Sequence, residues 1–406
     1  MCFWNSKSGH RMKLVWCGLF LSALTCCALQ AQEAERKAFD ESLVEWRQTY
    51  IEVIEVFNQF KICEEYEADD LRERYRELKA KGEAQKTRTI ELATDVLMAS
   101  PNADRDVLDL LGGLPDELYK RYQYELAARV GKALLKHNFN DQQLRFTTIL
   151  ATFFSNEFSD SKKLFEEYIQ QSGSVPSSLE GMYGVLDETI THWDEEQKLR
   201  SAENESGHLP RVAFELTTGT VVVELFEDSA PTIVNNLIVL VESEEAYFEN
   251  MPFYFVMANQ LSITGCRRGN GTSFLPLGLM DEVTQKNKRH HFRGSLSLGI
   301  DPTRGGTAIT NCQFVKVPIA EMDSTNLVVG RVVEGLEYID RLNLTHELTE
   351  LLEPQPVEQP IQDLVIRAYM VRKPDGKDYN LIRFGQPAAR AGDPPADNSP
   401  ENEQDN

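Results

Sequence analysis

The residues of this 406-residue chain whose types could do chemistry gather between Leu216 and Leu342, and few are spaced for it. His290 and His291 are adjacent, so they are not spaced to share one metal-ligating face; a pair of surface histidines is expected. Ser295 and Ser297 lie on an apolar segment with no base nearby in the sequence to activate a hydroxyl. Asp301-Pro302-Thr303-Arg304-Gly305-Gly306 has the glycines of a phosphate cradle but neither its lysine nor its helix, which makes it a plain loop. Arg267, Arg268 and Lys316 are expected as solvated cations. Cys63, Cys266 and Cys312, the cysteines beyond the N-terminal leader, are odd in number and contain no CxxC pair. Buried free thiols are expected, with a Cys266–Cys312 bridge as the alternative. No metal and no cofactor is implied.

Charge narrows the partners. Lys and Arg number 42 against 64 Asp and Glu, a formal balance of −22. The leader carries Lys7, Arg11 and Lys13, so its removal leaves 39 against 64, or −25. Such a chain repels phosphate backbones and anionic membranes, which disfavours nucleic acid as a partner, although the basic run Lys286 to Arg293 offers a local site for an acidic group. The leader itself is basic to Lys13, apolar from Leu14 to Ala28, then small and polar, the layout of a secretory signal peptide over residues 1–31. A retained membrane anchor and acylation at Cys27 are the alternatives. Export to a periplasm or the extracellular space is expected, with no integral membrane span after cleavage.

The elements that must position these residues fall into two halves. Residues 32–200 carry helical periodicity. Leu43, Trp46, Tyr50, Val53, Phe57 and Phe60 recur at intervals of three and four, a stripe expected to be packed on one helix face. Further helices are expected at Asp70–Lys81, Arg88–Ala99, Asp116–Lys136, Gln142–Ser155, Asp160–Gln171 and Ser178–Arg200, separated by Pro- and Gly-bearing breaks. Short loops between them imply stacked antiparallel hairpins. Apolar residues almost vanish around Asp194–His208, which marks a charged helix end or a linker, the latter set at 201–210, and the period then changes to two. Val212, Phe214 and Leu216 alternate before Thr217–Thr220, and Val221, Val223 and Leu225 after it: a strand, a turn and a strand. Residues 374–406 are polar, acidic and Pro-rich, the composition of a disordered tail.

Four blocks within 211–373 resemble the cyclophilin-type peptidyl-prolyl isomerases. Leu216–Glu242 reads like that family's opening hairpin, its Ala-Pro-x-Thr-x-x-Asn-Phe element and a helix. Ala246–Cys266 (AYFENMPFYFVMANQLSITGC) follows the outline Y-Y-D-G-x-x-F-H-R-V-I-P-G-F-M-x-Q-G-G-D. Phe292–Thr307 stands beside G-x-L-S-M-A and its loop, and Asn326–Leu342 beside H-x-V-F-G-x-V-x-E-G-x-D-V-V-D-x-I, with Ile361–Arg372 as a closing strand. The resemblance implies a closed eight-stranded antiparallel β-barrel with two capping helices, behind an all-α helical-hairpin domain. In the latter, Asn156–Gln171 resembles half of a tetratricopeptide repeat through Phe158, Ser161 and Phe165.

The same resemblance locates a peptide-binding groove over Phe253, Phe255, Leu261, Ile263, Gly299, Gln313, Met322 and Asn326. Rotating an X-Pro bond crosses a barrier of roughly 18–20 kcal/mol, which the family lowers by aiming an arginine at the amide nitrogen. Here the F-H-R element reads Phe253-Tyr254-Phe255, and Phe255 has no donor to offer. Ile263 replaces the glutamine that orients the arginine, and Gly299 the small alanine of the groove wall. The aromatic of the pocket floor becomes Gln313 or Val315, according to the register of Asn311–Val315. The expectation is an exported pseudoenzyme that binds polypeptide with isomerase activity weak or lost. Two alternatives stay open: an active isomerase assisting protein folding, and a helical partner-docking protein with the barrel as scaffold.

Overall fold

The computed structural model describes residues 9–62, 68–99, 104–137, 139, 141–272, 276–279, 289–301, 306–348, 354–357, 361–374 and 376–380. The chain divides into two compact units, Met1–Tyr183 and Gly184–Asn406.

In the first unit, α1 (Gly9–Phe60) and α2 (Ala68–Ala99) form an antiparallel pair. Ser42 Oγ meets Thr89 Oγ1 at 2.8 Å near one end, and the rings of Phe57 and Tyr75 meet near the other. Among the described residues of α1 those buried are Phe39, Ser42, Thr49 and Val56, a seam with near-heptad spacing. This corrects the expected stripe, because Tyr50 (60% exposed), Phe57 and Phe60 stand in solvent beside the seam rather than in it. The two helices expected at 70–81 and 88–99 are one continuous α2.

Next come α3 (Arg105–Leu111), whose first turn is capped by the Asp104 carboxylate, α4 (Leu114–Lys120), α5 (Tyr124–Lys136), α6 (Gln142–Phe154) and α7 (Phe158–Ser172). The helix expected over 116–136 breaks in two at Tyr122, whose φ of 62° is left-handed. Between α5 and α6 the backbones come close at Gly131, where a Cβ would lie 2.2 Å from Thr148 Oγ1. Phe158, Ser161 and Phe165 are all buried, with Ser161 Oγ donating to the Ile149 carbonyl.

Helix α8 (Glu180–Ser206) runs on through residues expected as linker. Its polar C-terminal half has partners within the second unit, which low hydrophobicity alone concealed: Arg289 binds Glu196 and Glu203, and Arg331 binds Asn204.

The second unit is a curled antiparallel sheet. Its strands are β1 (Arg211–Leu216), β2 (Gly219–Leu225), β3 (Met251–Pro252), β4 (Phe255–Val256), β5 (Leu261–Thr264), β6 (Pro276–Leu279), β7 (Ser295–Asp301), β8 (Gly306–Val315), β9 (Asn326–Glu334) and β12 (Leu364–Arg372). They lie in the order β3-β12-β1-β2-β9-β7-β8-β5-β4, with β6 on β8 and a separate pair β10 (His346–Leu348) and β11 (Pro354–Pro356). The expected closed eight-stranded barrel is therefore corrected to an open sheet. Its two end strands, β3 and β4, are consecutive pieces of one extended segment and cannot pair with each other. Phe253 N donates to Asp363 O at one end of the sheet, and Tyr254 N to Ile263 O at the other.

Helices α9 (Pro231–Glu242) and α10 (Leu336–Asp340) contribute Ile233, Leu237 and Ile339 to a core built on Phe214, Phe248, Phe253, Leu296 and Phe314. Phe214 meets Phe248 and Phe314 edge-on, at 5.4 and 5.8 Å between centroids. Just inside the expected tail, Tyr379 packs on this core and Lys377 pairs with Glu227; residues 381–406 lie outside the described ones. Among the described residues no helix is long and apolar enough to cross a membrane.

Gly335, at φ +80° between β9 and α10, has the Thr220 carbonyl oxygen 2.2 Å from where a Cβ would stand. A Gly335→Ala substitution combines left-handed strain with a backbone clash, and is expected to cost on the order of 1–3 kcal/mol in urea unfolding. An unchanged midpoint and slope would contradict this account of the turn.

Candidate functional site

The site is a cross-strand row on the face of the sheet opposite the core. On β5, Ser262 and Thr264 point inward, leaving Leu261 and Ile263 on the other side. On β8, Cys312 and Phe314 are core residues, so Gln313 and Val315 face outward; β7 likewise keeps Leu296 and Leu298 inside and turns out Ser297 and Gly299. Pairing then aligns Phe255, Ile263, Gln313, Ser297 and Val328 across five strands. Leu261 sits opposite Val315, and Gly299 opposite Asn326.

Six of the eight expected groove residues share this face: Phe255, Leu261, Ile263, Gly299, Gln313 and Asn326. Met322 stands apart, half-buried on a 3-10 turn, Ala320–Ser324. Phe253 is not in the groove. It is fully buried with its ring 6.1 Å from Phe314, because the segment changes pairing partner at Tyr254 and the alternation of faces shifts there. The register of 311–315 follows from Phe314 pointing inward, so both floor candidates, Gln313 and Val315, flank it on the outer face.

Among the described residues no cation stands in the row. The Phe255 ring lies 4.5 Å from that of His346, an imidazole whose proton affinity burial lowers. The polar members bind one another: Asn326 Nδ2 donates to Gln313 Oε1 (2.9 Å), and Gln313 Nε2 to Asn311 Oδ1 (2.8 Å). Thr325 Oγ1 lies 2.7 Å from Asn326 Oδ1. Gly299 makes room for this chain, since a Cβ there would fall 1.9 Å from Asn311 Nδ2. Asn311 is the groove residue that the sequence reading passed over; the only sign was the glycine at 299.

The cations considered as substitutes are engaged elsewhere or in solvent. Arg267 lies over the Tyr247 ring and donates to the carbonyls of Tyr247 and Glu245. Arg268 is exposed. Lys316, expected in solvent, is 3% exposed; burial pulls its ammonium down to about 8 despite the nearby carboxylate of Asp340. Cys266 and Cys312 are both buried, Cys266 Sγ lying 3.7 Å from Asn270 Oδ1 and the Cys312 thiol pushed up by burial to about 12. Among the described residues no group of three or more His, Cys, Asp or Glu is placed to hold a metal ion.

One constellation contradicts the sequence reading. His291 is buried rather than on the surface, and links Ser297 to Asp323: Nε2 lies 2.7 Å from Ser297 Oγ, and Nδ1 2.5 Å from Asp323 Oδ1. His290 Nδ1 meets the other carboxylate oxygen at 2.6 Å, and the His290 ring stacks on His192 of α8. These are the residue types of a nucleophilic triad, but Ser297 is fully buried and shares its hydroxyl with the Leu327 carbonyl (3.2 Å), so no substrate atom reaches it. The arrangement is a strut that ties the 290–293 segment and the 3-10 turn bearing Met322 to β7. Neither histidine is near Asp323 in sequence, which hid it.

With this geometry in place, comparison with known proteins identifies the second unit. The family model "Cyclophilin type peptidyl-prolyl cis-trans isomerase/CLD" matches residues 211–371. A peptidyl-prolyl cis-trans isomerase of Helicobacter pylori is 29% identical over 143 residues, covering 34% of this chain and 84% of the relative. Peptidyl-prolyl cis-trans isomerase-like 1 of Aspergillus fumigatus is 26% identical over 170 residues, covering 40% and 97%. A crystal structure of a Cryptosporidium parvum cyclophilin type isomerase in the presence of the dipeptide Ala-Pro aligns at 16% identity and a TM-score of 0.33, covering 40% of this chain and 99% of that one. Residues 211–371 thus form a cyclophilin-type domain.

The strut has a definite pH signature. Burial alone would raise the Asp323 carboxyl, but hydrogen bonds from His290 and His291 outweigh it and hold the group well below the usual range. The hydrogen bond to Asp323 raises His290 against the opposing effect of burial, aided by Glu195 and Glu196. The Asp323 contribution is therefore present above its unfolded value of roughly 3.9 and fades as pH falls through its lower folded value. The His290 contribution is complete below about 6.5 and fades as pH rises through its raised folded value. Thermal unfolding of His290→Gln is expected to show its largest deficit against wild type near pH 5–6 and to converge with it in alkali. A deficit independent of pH would refute the charge pairing.

Proposed function

We propose that this is an exported protein whose cyclophilin-type domain binds extended polypeptide on its outer row and rotates prolyl bonds weakly or not at all. Phe255 carries the reading: where family resemblance puts the donor for the rotating nitrogen, this chain has a half-buried aromatic ring against His346. Ile263 beside it has no amide to orient a guanidinium. Removing one such oriented donor costs roughly 10²- to 10³-fold in rate, and here its support has gone too.

Binding is a separate matter. Phe255, Leu261 and Ile263 are partly exposed apolar side chains beside a line of amides, the mixture that grips a chain by contact and a few polar anchors. The names of the similar isomerases support a polypeptide ligand. The basic-then-apolar leader supports export to the periplasm or the extracellular space.

A protease-coupled proline-peptide assay on the full chain tests this, with the Helicobacter relative as standard and a fluorescence titration of the same peptide alongside. Binding should be measurable, with turnover at least about 10²-fold below the standard. Turnover equal to the standard would end the proposal, as would absence of peptide binding. Phe255→Arg alone should restore little, since Ile263 cannot orient the new guanidinium.

A further inference from the structure

A second site lies where α8 meets β1 and β9 within the C-terminal unit. Gln197, Arg200, Ser201 and Asn204 fall on one face of α8, at successive steps of three, one and three. Arg211 of β1 and Arg331, Val332, Val333 and Glu334 of β9 complete the wall of a cavity of about 400 Å³.

The charges behind that wall do not balance. Glu224, 1% exposed, binds Arg211, Arg331 and Arg372 at 2.7–3.0 Å. Glu196 binds Arg200 and Arg289, and Glu203 binds Arg289 and lies 3.7 Å from Arg331. Among the described residues five guanidiniums therefore share three carboxylates, leaving an excess of two positive charges. Among the described residues of the cavity wall Glu334 is the one carboxylate; it is exposed at the rim and offsets at most one of them. Trp193 and Phe226 lie under Arg200 and Arg289 and stabilise cations without neutralising them. Burial, and secondarily the charge of Arg331, lowers Arg200 from its ordinary value.

This cationic excess stands in a chain of net charge −22. A purely structural cross-link gains nothing from surplus guanidiniums at close quarters, because each adds desolvation and mutual repulsion. An anion in the cavity removes both costs, and Gln197 and Ser201 add uncharged donors.

We propose that this cavity binds a tetrahedral oxyanion, a phosphate or sulfate group, either free or as the ester end of a larger molecule. Guanidinium forks match such an anion with paired N–H donors, and the cavity exceeds a bare phosphate, which leaves space for an ester substituent.

The test is isothermal titration of the full chain with inorganic phosphate, sulfate and phenyl phosphate at constant ionic strength, with chloride as control and thermal unfolding in parallel. Saturable one-to-one phosphate or sulfate binding with a raised midpoint is expected, and chloride should give neither. Arg211→Gln, which leaves Glu224 held by Arg331 and Arg372, should weaken binding roughly tenfold or more. Ser201→Asp, which sets a carboxylate in the cavity and removes no ion pair, should abolish it. Phenyl phosphate binding tighter than phosphate assigns an ester ligand; weaker binding assigns the free anion. Oxyanion shifts no larger than those of chloride, or binding untouched by both variants in chains of native near-ultraviolet dichroism, would overturn the proposal.

Discussion

The alternation of β8, with Cys312 and Phe314 in the core and Gln313 and Val315 on the other face, governs the chemistry of the outer surface, because a strand's side chains change face at every residue. Phe314 lies beneath the rings of Phe214 and Phe253, and moving it outward would empty the centre of the unit. Once it is inside, Gln313 must lie between Ile263 and Ser297, and the amide chain through Asn311 and Asn326 follows. The groove is in this sense a consequence of core packing. Its polar members occupy the positions the hydrophobic residues left to them.

Features with a local cause were legible in the sequence. The hairpin β1–β2 shows a period of two within a dozen residues, while the helix α9 and the closing strand β12 were legible through the family resemblance. What depended on distant partners was not. The aromatics of α1 recur at the same helical spacing as its buried seam, so no periodicity could say which stripe its partner α2 would cover. The end of α8 looks like a linker because its burial is ionic: Glu196 and Glu203 are inside only by virtue of Arg289, some ninety residues on. For the same reason His291 and Lys316 read as surface residues. Each is a polar group made tolerable in the interior by carboxylates that sequence distance conceals, Asp323 in one case and Asp340 in the other.

Within the site, the replacements make sense together and would be costly singly. A glutamine retained at 263 beside Phe255 would have lost its charged partner, and a half-buried amide without a partner is destabilising by about 1–3 kcal/mol. Ile263 removes that liability. On the next strand the amide of Gln313 is satisfied from both sides by Asn311 and Asn326, and Asn311 fits only because residue 299 lacks a Cβ. The phenylalanine at 255, which the proposal reads as the place of a lost guanidinium, thus goes with an apolar neighbour, an internal amide chain and a glycine that admits it.

That self-sufficiency bears on mechanism. A catalytic groove keeps donors aimed at the place where charge will develop, and leaves them unsatisfied or water-bound until substrate arrives. In this row Asn326 donates to Gln313 and Gln313 to Asn311, and Phe255 rests against His346. A polypeptide lying on the face would gain contact area, and hydrogen bonds from whichever lone pairs the amides retain. The rotating amide nitrogen would gain nothing beyond what the ground state already has. Interactions equal in ground and transition states tighten association without changing the barrier, which is the physical ground for the proposal that this row holds a chain and scarcely turns its prolyl bond.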